Sequence, residues 1–197
     1  VITFSIVIPT YNAAATIANT VQSCLQQSYP PHEIIVVDDA STDHTLACLH
    51  PFLSKIKLLQ HPVNKGVSAA RNYGWNSATG RYVLFLDSDD TFHPHKLAIL
   101  QQVLAQHPEV QFLHHPYTLS KLADIDQVAK YQPVKKSFTS LLLRNTVASP
   151  CMCVARSINI RFNEQLRYCE DHDFVLRCTW HHECYYIPAV LSRLDHA

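Results

Sequence analysis

The chain has 197 residues, with 16 Lys plus Arg balancing 16 Asp plus Glu, and 13 His besides. That length suits one domain and buries about 70% of the surface of the unfolded chain, so no disulfide or metal staple is required. Zero formal charge argues against a general binder of nucleic acid or anionic membranes, which carries a basic excess.

In chain order, "TFSIVIPTYN" holds a short apolar run, Phe4 to Ile8, ending at Pro9. Too short for a helix and rich in Ile and Val, it predicts a strand buried on both faces. From Ala14 the spacing changes: Ile17, Val21 and Leu25 mark one face of a helix to about Gln27, which "SYPP" ends. "EIIVVDDAST" repeats the pattern with a strand at Ile34–Val37, after which Ser41 or Thr42 is the expected N-cap of a helix running to about Leu53. "IKLLQ" is a third strand, "VSAARNYGWNSA" a helix despite Gly74, and 82–86 a fourth strand. Pro94 opens a helix with Leu97, Leu100 and Leu104 inward, and "VQFLHH" is a further strand. Residues 116–150 are less regular. "SFTSLLLRN" predicts a helix, "PCMCVA" a strand, and Phe174, Val175 and Cys178 a helix from about Asp171. "CYYIPAVL" predicts a closing strand at an edge, where Pro188 is tolerated. Alternating strands and helices over the first 115 residues imply an α/β fold, Rossmann-like, with a mostly parallel sheet covered by helices on both faces.

Two acidic clusters follow buried strands directly, Asp38-Asp39 and Asp87-Ser88-Asp89-Asp90. In an open parallel sheet this C-terminal strand edge is where ligands bind. Asp87 and Asp89, two residues apart, project to one side if extended geometry persists. They form a hard-oxygen pair suited to Mg²⁺ or Mn²⁺, which take one or two carboxylates plus substrate phosphates. Asp38 alone reads better as a turn cap. There is no G-x-G-x-x-G and no Walker lysine motif, so a phosphate ligand here must be neutralised by a metal and an arginine. Arg71 is the arginine nominated.

Taken together, "SIVIPTYN", "IIVVDDAST", "NKGVSAARN", "YVLFLDSDD" and "LRYCEDHDF" resemble glycosyltransferase family 2, inverting enzymes of the GT-A fold, over Ile6 to Asp173. The resemblance implies a single glycosyltransferase domain over 1–197, with a nucleotide-binding part at 1–115 and an acceptor side at 116–197. It also implies these roles: Pro9, Thr10 and Tyr11 line the nucleotide pocket, Asp39 pairs with the base, Arg71 contacts the nucleotide, and Asp87 and Ser88 lie near the ribose. Asp89 falls on the divalent metal, Mn²⁺ or Mg²⁺, with Asp90 and the late His196 as further candidates for it. Asp171 falls on the catalytic base, with Glu170 beside it. The implied reaction moves a sugar from a nucleoside diphosphate donor, in most cases a UDP-sugar, to a saccharide or lipid-linked saccharide acceptor. Surface polysaccharide or glycoconjugate synthesis is the expected setting. Ala40 departs from the glycine usual in "DDAST". The rivals are a nucleotidyltransferase, which predicts a Gly- and Lys/Arg-rich loop that "PTYNAAAT" does not offer, and a non-catalytic nucleotide-fold module, which predicts loss of Asp89 or Asp171.

The seven cysteines are an odd number and no signal peptide opens the chain, which predicts a reduced, cytoplasmic protein, at most peripheral to the membrane face. No stretch reaches about 18 consecutive apolar residues. Cys151 with Cys153, His93 with His95, and His181, His182 and Cys184 lack paired zinc spacing and read as buried thiols and surface imidazoles. The chain begins on a strand and stops at "RLDHA", which reads as an excised domain with a neighbouring segment missing.

Overall fold

The computed structural model describes residues 1–123, 131–143 and 147–195. All seven residues of β1 (Phe4–Thr10) are buried. Side chains on a strand alternate between faces. Phe4, Ile6 and Ile8 accordingly pack with α1 (Ile17–Leu25) and α4 (Lys96–Gln106), while Val7 packs toward α3 (Val67–Ser77) and α6 (Glu170–His181). Two apolar layers thus sandwich the sheet, which is what the unbroken Ile/Val runs require.

Alongside β1 lie β2 (Glu33–Asp38) and β4 (Tyr82–Phe85), both parallel to it, and β3 (Lys57–Gln60) extends the sheet beyond β2. Past β4 come β9 (Met152–Ala155), β6 (Phe112–His114), β10 (Cys184–Tyr186) and β8 (Val134–Lys136), giving the order β3-β2-β1-β4-β9-β6-β10-β8. Strand β9 runs antiparallel to both β4 and β6, while β6 and β10 are parallel. Parallel pairing dominates only on the β3–β4 side. A second, three-stranded sheet joins β5 (Thr91–Phe92), β11 (Ser192–Arg193) and β7 (Tyr117–Thr118); sequence periodicity gave no sign of it, because two-residue strands carry none.

Three local expectations need correction. Helix α2 (Thr45–Leu49) starts later than the proposed Ser41 or Thr42 cap; Asp43 instead accepts hydrogen bonds from the Thr45 amide at 2.9 Å and its hydroxyl at 2.5 Å. The 184–191 segment is not an edge strand: β10 ends at Tyr186, before Pro188, and is flanked by β6 and β8. Cys151 sits on a 3-10 turn (Ser149–Cys151) and only Cys153 is in β9, although both are buried. The predicted helix at 137–145 appears as α5 (Phe138–Leu143).

Gly74 in α3 has a packing reason. A Cβ there would stand 2.3 Å from Val7 Cγ1, so glycine lets the helix lie against β1. At the junction of the early and late parts of the chain, the fully buried Lys96 donates from Nζ to the Pro150 carbonyl at 2.6 Å and to Ser192 Oγ at 3.1 Å, with the Phe92 ring 3.5 Å away. Burial pushes its pKa down to about 7.

Candidate active site

Because β1, β2 and β4 run the same way, their C-terminal ends share one rim. There Pro9, Thr10 and Tyr11 leave β1, Asp39 leaves β2, and Asp87, Ser88 and Asp89 follow β4. A cavity of about 570 Å³ opens between these seven residues and Arg71. All eight were singled out by sequence. Asn64, Gly66, Val67 and Ala70 also line it and were not. Their one sequence signal was Gly66, whose φ of 90° suits glycine, directly ahead of a helical pattern. The first turn of α3 therefore faces the cavity, and a helix N-terminus favours anions.

The carboxylate of Asp39 organises the loop ahead of that helix. Its Oδ1 accepts from the Lys65 amide at 2.9 Å and lies 2.7 Å from His61 Nδ1, while Oδ2 accepts from the Gly66 amide at 2.7 Å. The turn between Asp39 and Ser41 places Ala40 at φ 62°, a left-handed conformation costly for a residue with a Cβ. This is the physical reason glycine is common at that position. Asp38, by contrast, is the buried last residue of β2, and its Oδ2 accepts from the Ser41 amide at 3.4 Å.

Arg71 ties the rim together. Its Nη2 donates to Asp87 Oδ1 at 2.7 Å and its Nη1 to Glu170 Oε1 at 2.9 Å, so one guanidinium links the acid after β4 to the acid pair opening α6. Only 3% of its side chain is exposed. Burial opposes the charge, but the two carboxylates outweigh it and hold its pKa above the ordinary value. The Phe162 ring lies 5.2 Å from the guanidinium carbon and stacks on Phe174 of α6. Next in α3, Asn72 accepts from the Phe162 amide and donates to the Phe162 carbonyl, both at 2.9 Å, pinning the segment before α6 against α3.

Asp171 stands in the first turn of α6, where acids complement the helix dipole, and its Oδ1 accepts from the His172 amide at 2.7 Å. Burial raises its pKa, and the charges of Glu170 and Asp87 add to the rise. A carboxylate so placed is a stronger proton acceptor than one in water. Asp90 follows Asp89 but does not line the cavity. It is buried, its Oδ1 accepts from the Asp195 amide at 2.9 Å, and burial pushes its pKa up to about 7. His196 lies outside the described residues. Among the described residues no group of three or more His, Cys, Asp or Glu gathers as a metal cage. The exposed Asp89 and half-buried Asp87 still fit a cation that arrives with a diphosphate, since Mg²⁺ or Mn²⁺ then needs only one or two carboxylates. The cysteines are all free, and burial raises the thiols of Cys24, Cys151, Cys153 and Cys178 to about 12, as inert core groups. Among the described residues no helix is long and apolar enough to cross a membrane.

Comparison with known proteins gives concordant results. Residues 5–166 match the model of Glycosyl transferase family 2. An uncharacterised glycosyltransferase of Haemophilus influenzae is 34% identical over 88% of this chain and 70% of its own. The Escherichia coli UDP-Glc:alpha-D-GlcNAc-diphosphoundecaprenol beta-1,3-glucosyltransferase WfgD is 35% identical over 72% of this chain and 55% of its own. In a third relative, a further uncharacterised H. influenzae glycosyltransferase at 29% identity, the match spans 60% of the relative's length. The crystal structure of S. aureus TarS 1-349 in complex with UDP superposes over 100% of this chain and 61% of its own with a TM-score of 0.82 at 23% identity, which shows that the fold is GT-A. From its motifs, its sheet and these matches, the chain belongs to glycosyltransferase family 2.

Proposed function

We propose that this chain is the catalytic domain of an inverting glycosyltransferase that moves a sugar from a UDP-sugar to a hydroxyl of a saccharide or lipid-linked saccharide, in surface glycan synthesis on the cytoplasmic side of a membrane. The observation that carries it is the Arg71 bridge: one buried guanidinium joins Asp87, at the cavity, to Glu170, beside Asp171. A donor in the cavity and a base on α6 are thereby held in fixed relation, which positional catalysis needs. The UDP-Glc donor and lipid-diphosphate acceptor in the name of WfgD support the substrate classes.

In this reading Pro9, Thr10 and Tyr11 border the base and ribose, and Asp39 meets the base with the acceptor capacity its carboxylate retains. Asp87 and Ser88 lie toward the ribose. The first turn of α3 and Arg71 face the diphosphate, offering amide dipoles and positive charge. Asp89, with Asp87 beside it, holds the divalent cation, and His196 is the further ligand we assign. Asp90, whose Oδ1 accepts from the Asp195 amide, is the other further candidate for the cation. When bound, the cation supplies Lewis-acid stabilisation of the leaving diphosphate. Asp171 takes the proton of the acceptor hydroxyl as it attacks from the face opposite the diphosphate, which inverts the anomeric centre. Titration calorimetry with UDP, with and without Mn²⁺, tests the reading: binding that strengthens with metal is expected, and absence of any nucleotide binding would refute it. A panel of nucleotide sugars assayed by hydrolysis then names the donor.

A further inference from the structure

A second cavity, of about 530 Å³, lies on the same rim and on the α5/α6 face of the sheet. Strand β9 is antiparallel to both β4 and β6, so β6 points the same way as β4. His114, the last residue of β6, thus stands level with Phe85 at the end of β4, two residues short of Asp87 and two strand spacings or about 10 Å across the sheet. Tyr186 closes β10 beside it, and Leu141 and Leu143 of α5 form the opposite wall.

His114 is only 4% exposed, yet neither ring nitrogen has a hydrogen-bond partner among the described residues. A buried polar group left unpaired is costly, and such cases are few in folded proteins. Burial, aided by the charge of Lys136, pushes its pKa down to about 4, so the ring is neutral at physiological pH. Neutral imidazole offers one donor and one acceptor, the combination that a hydroxyl also offers. The Tyr186 ring sits 5.1 Å from that of His114, and Lys136 Nζ lies 4.5 Å over Tyr186, which puts a cation in the same cavity. Helix α6 connects the two cavities. Glu170 pairs with Arg71 on the donor side, and His172 Nε2 lies 3.2 Å from the Leu141 carbonyl on the wall of the second cavity. Asp171 is the residue between them.

We propose that this second cavity is the acceptor's sugar subsite, in which His114 hydrogen-bonds acceptor hydroxyls and Lys136 receives an anionic group carried by the same sugar. The proposal rests on the glycosyl-transfer reading above and adds to it a substrate class, a sugar bearing a phosphate or carboxylate. The apolar walls from Leu141, Leu143 and Pro116 suit the C–H faces of a pyranose. Its polar edges are met by His114, whose ring nitrogens are unpaired among the described residues, and by the Lys136 ammonium.

The test uses the full chain with isotope-labelled histidine, titrated with methyl glycosides and with sugar 1-phosphates of the gluco, galacto and manno series, with and without UDP. Saturable shifts of the His114 ring resonances are expected, with sugar phosphates binding more tightly than methyl glycosides. His114→Phe should weaken both about tenfold, the loss of a good hydrogen bond. Lys136→Met should weaken the sugar phosphates about tenfold and the methyl glycosides less than twofold. UDP titration of each variant reports whether it has folded. Unmoved His114 resonances with every sugar, or unchanged glycoside binding by His114→Phe, would overturn the subsite. Failure of the wild-type chain to bind UDP overturns the proposed function instead, while the His114 shifts recorded without UDP still decide the subsite.

Discussion

The first 115 residues and the remainder build the same rim by different means. In the first part, acids follow buried strands within one to four residues, so local sequence places them: β2 delivers Asp39, and β4 delivers Asp87 and Asp89. In the second, the groups come from scattered pieces. Asp171 reaches the rim only because α6 docks through Phe174 on an aromatic cluster that includes Phe85 and Phe162. Lys136, Leu141 and Tyr186 are gathered from β8, α5 and β10. A nucleotide-binding edge is thus written in contiguous motifs, whereas the opposite side of the rim is written in packing.

The strongest test of that contrast removes the one acid that the second part contributes to the proposed chemistry. Asp171→Asn keeps the shape and the helix start but cannot take a proton. We expect transfer to fall by about 10²–10⁴-fold while UDP affinity stays within twofold, measured by product formation and calorimetry. Near-normal turnover in the folded variant would remove Asp171 from the base role and leave helix capping as its whole contribution.

Next in size is a change in the first part that sequence propensity gets wrong. Alanine is a better helix former than glycine by about 1 kcal/mol, so Gly74→Ala looks stabilising on the sequence. In the structure the added methyl meets Val7 Cγ1 at 2.3 Å and Val37 Cγ2 at 3.2 Å, both core side chains of the sheet. Overpacking of this kind costs about 1–3 kcal/mol, and denaturant unfolding should show a net loss. An unchanged or raised midpoint would mean that α3 is free to shift on β1.

These two sites show what was legible and what was not. The strands β1, β2 and β4 and helices α1, α3, α4 and α6 follow from apolar runs and helical spacing, and Asp87, Asp89 and Arg71 from acids at a strand end that need a cation; Pro9, Thr10, Tyr11, Asp39 and Ser88 came from the family resemblance. What escaped was non-local. Nothing near Cys153 says that β9 runs antiparallel between β4 and β6, and nothing near Asp90 says that its carboxylate accepts from Asp195, 105 residues away. Likewise "VQFLHH" predicts a strand, but only the packed sheet and α5 leave His114 buried and, among the described residues, unpaired.

The seam between the two parts carries a pH signature. Lys96 is fully buried and its pKa drops from 10.5 in the unfolded chain to about 7. With a depressed folded value, the unfolded state binds more protons between those limits, so stability rises with pH across them and falls as pH drops toward 7. Measured against Lys96→Met, which lacks the titration, the wild-type chain should gain up to about 1.4 kcal/mol per pH unit between pH 7.5 and 9.5. A flat difference would mean that the Pro150 and Ser192 contacts keep the ammonium charged throughout, and that the seam is polar rather than titrating.

The smallest effect isolates backbone strain at the donor rim. Ala40 holds φ 62° because Asp39 on one side is fixed by its amide to the Thr10 carbonyl at 2.8 Å and by its carboxylate to the Lys65 and Gly66 amides. The left-handed conformation costs alanine about 1–2 kcal/mol. Glycine removes that cost but gives the unfolded chain more freedom, which takes back about 0.4–1 kcal/mol. Ala40→Gly should therefore stabilise the domain by about 0.5–1 kcal/mol in urea unfolding. The gain should appear without a change in m-value, because the surface buried on folding is the same. Since the neighbouring contacts of Asp39 set the turn, the substitution should leave its carboxylate, and with it UDP affinity, where they are. Absence of any gain would mean that the turn relaxes around alanine, and that local sequence governs this part of the rim less strictly than its contiguous motifs imply.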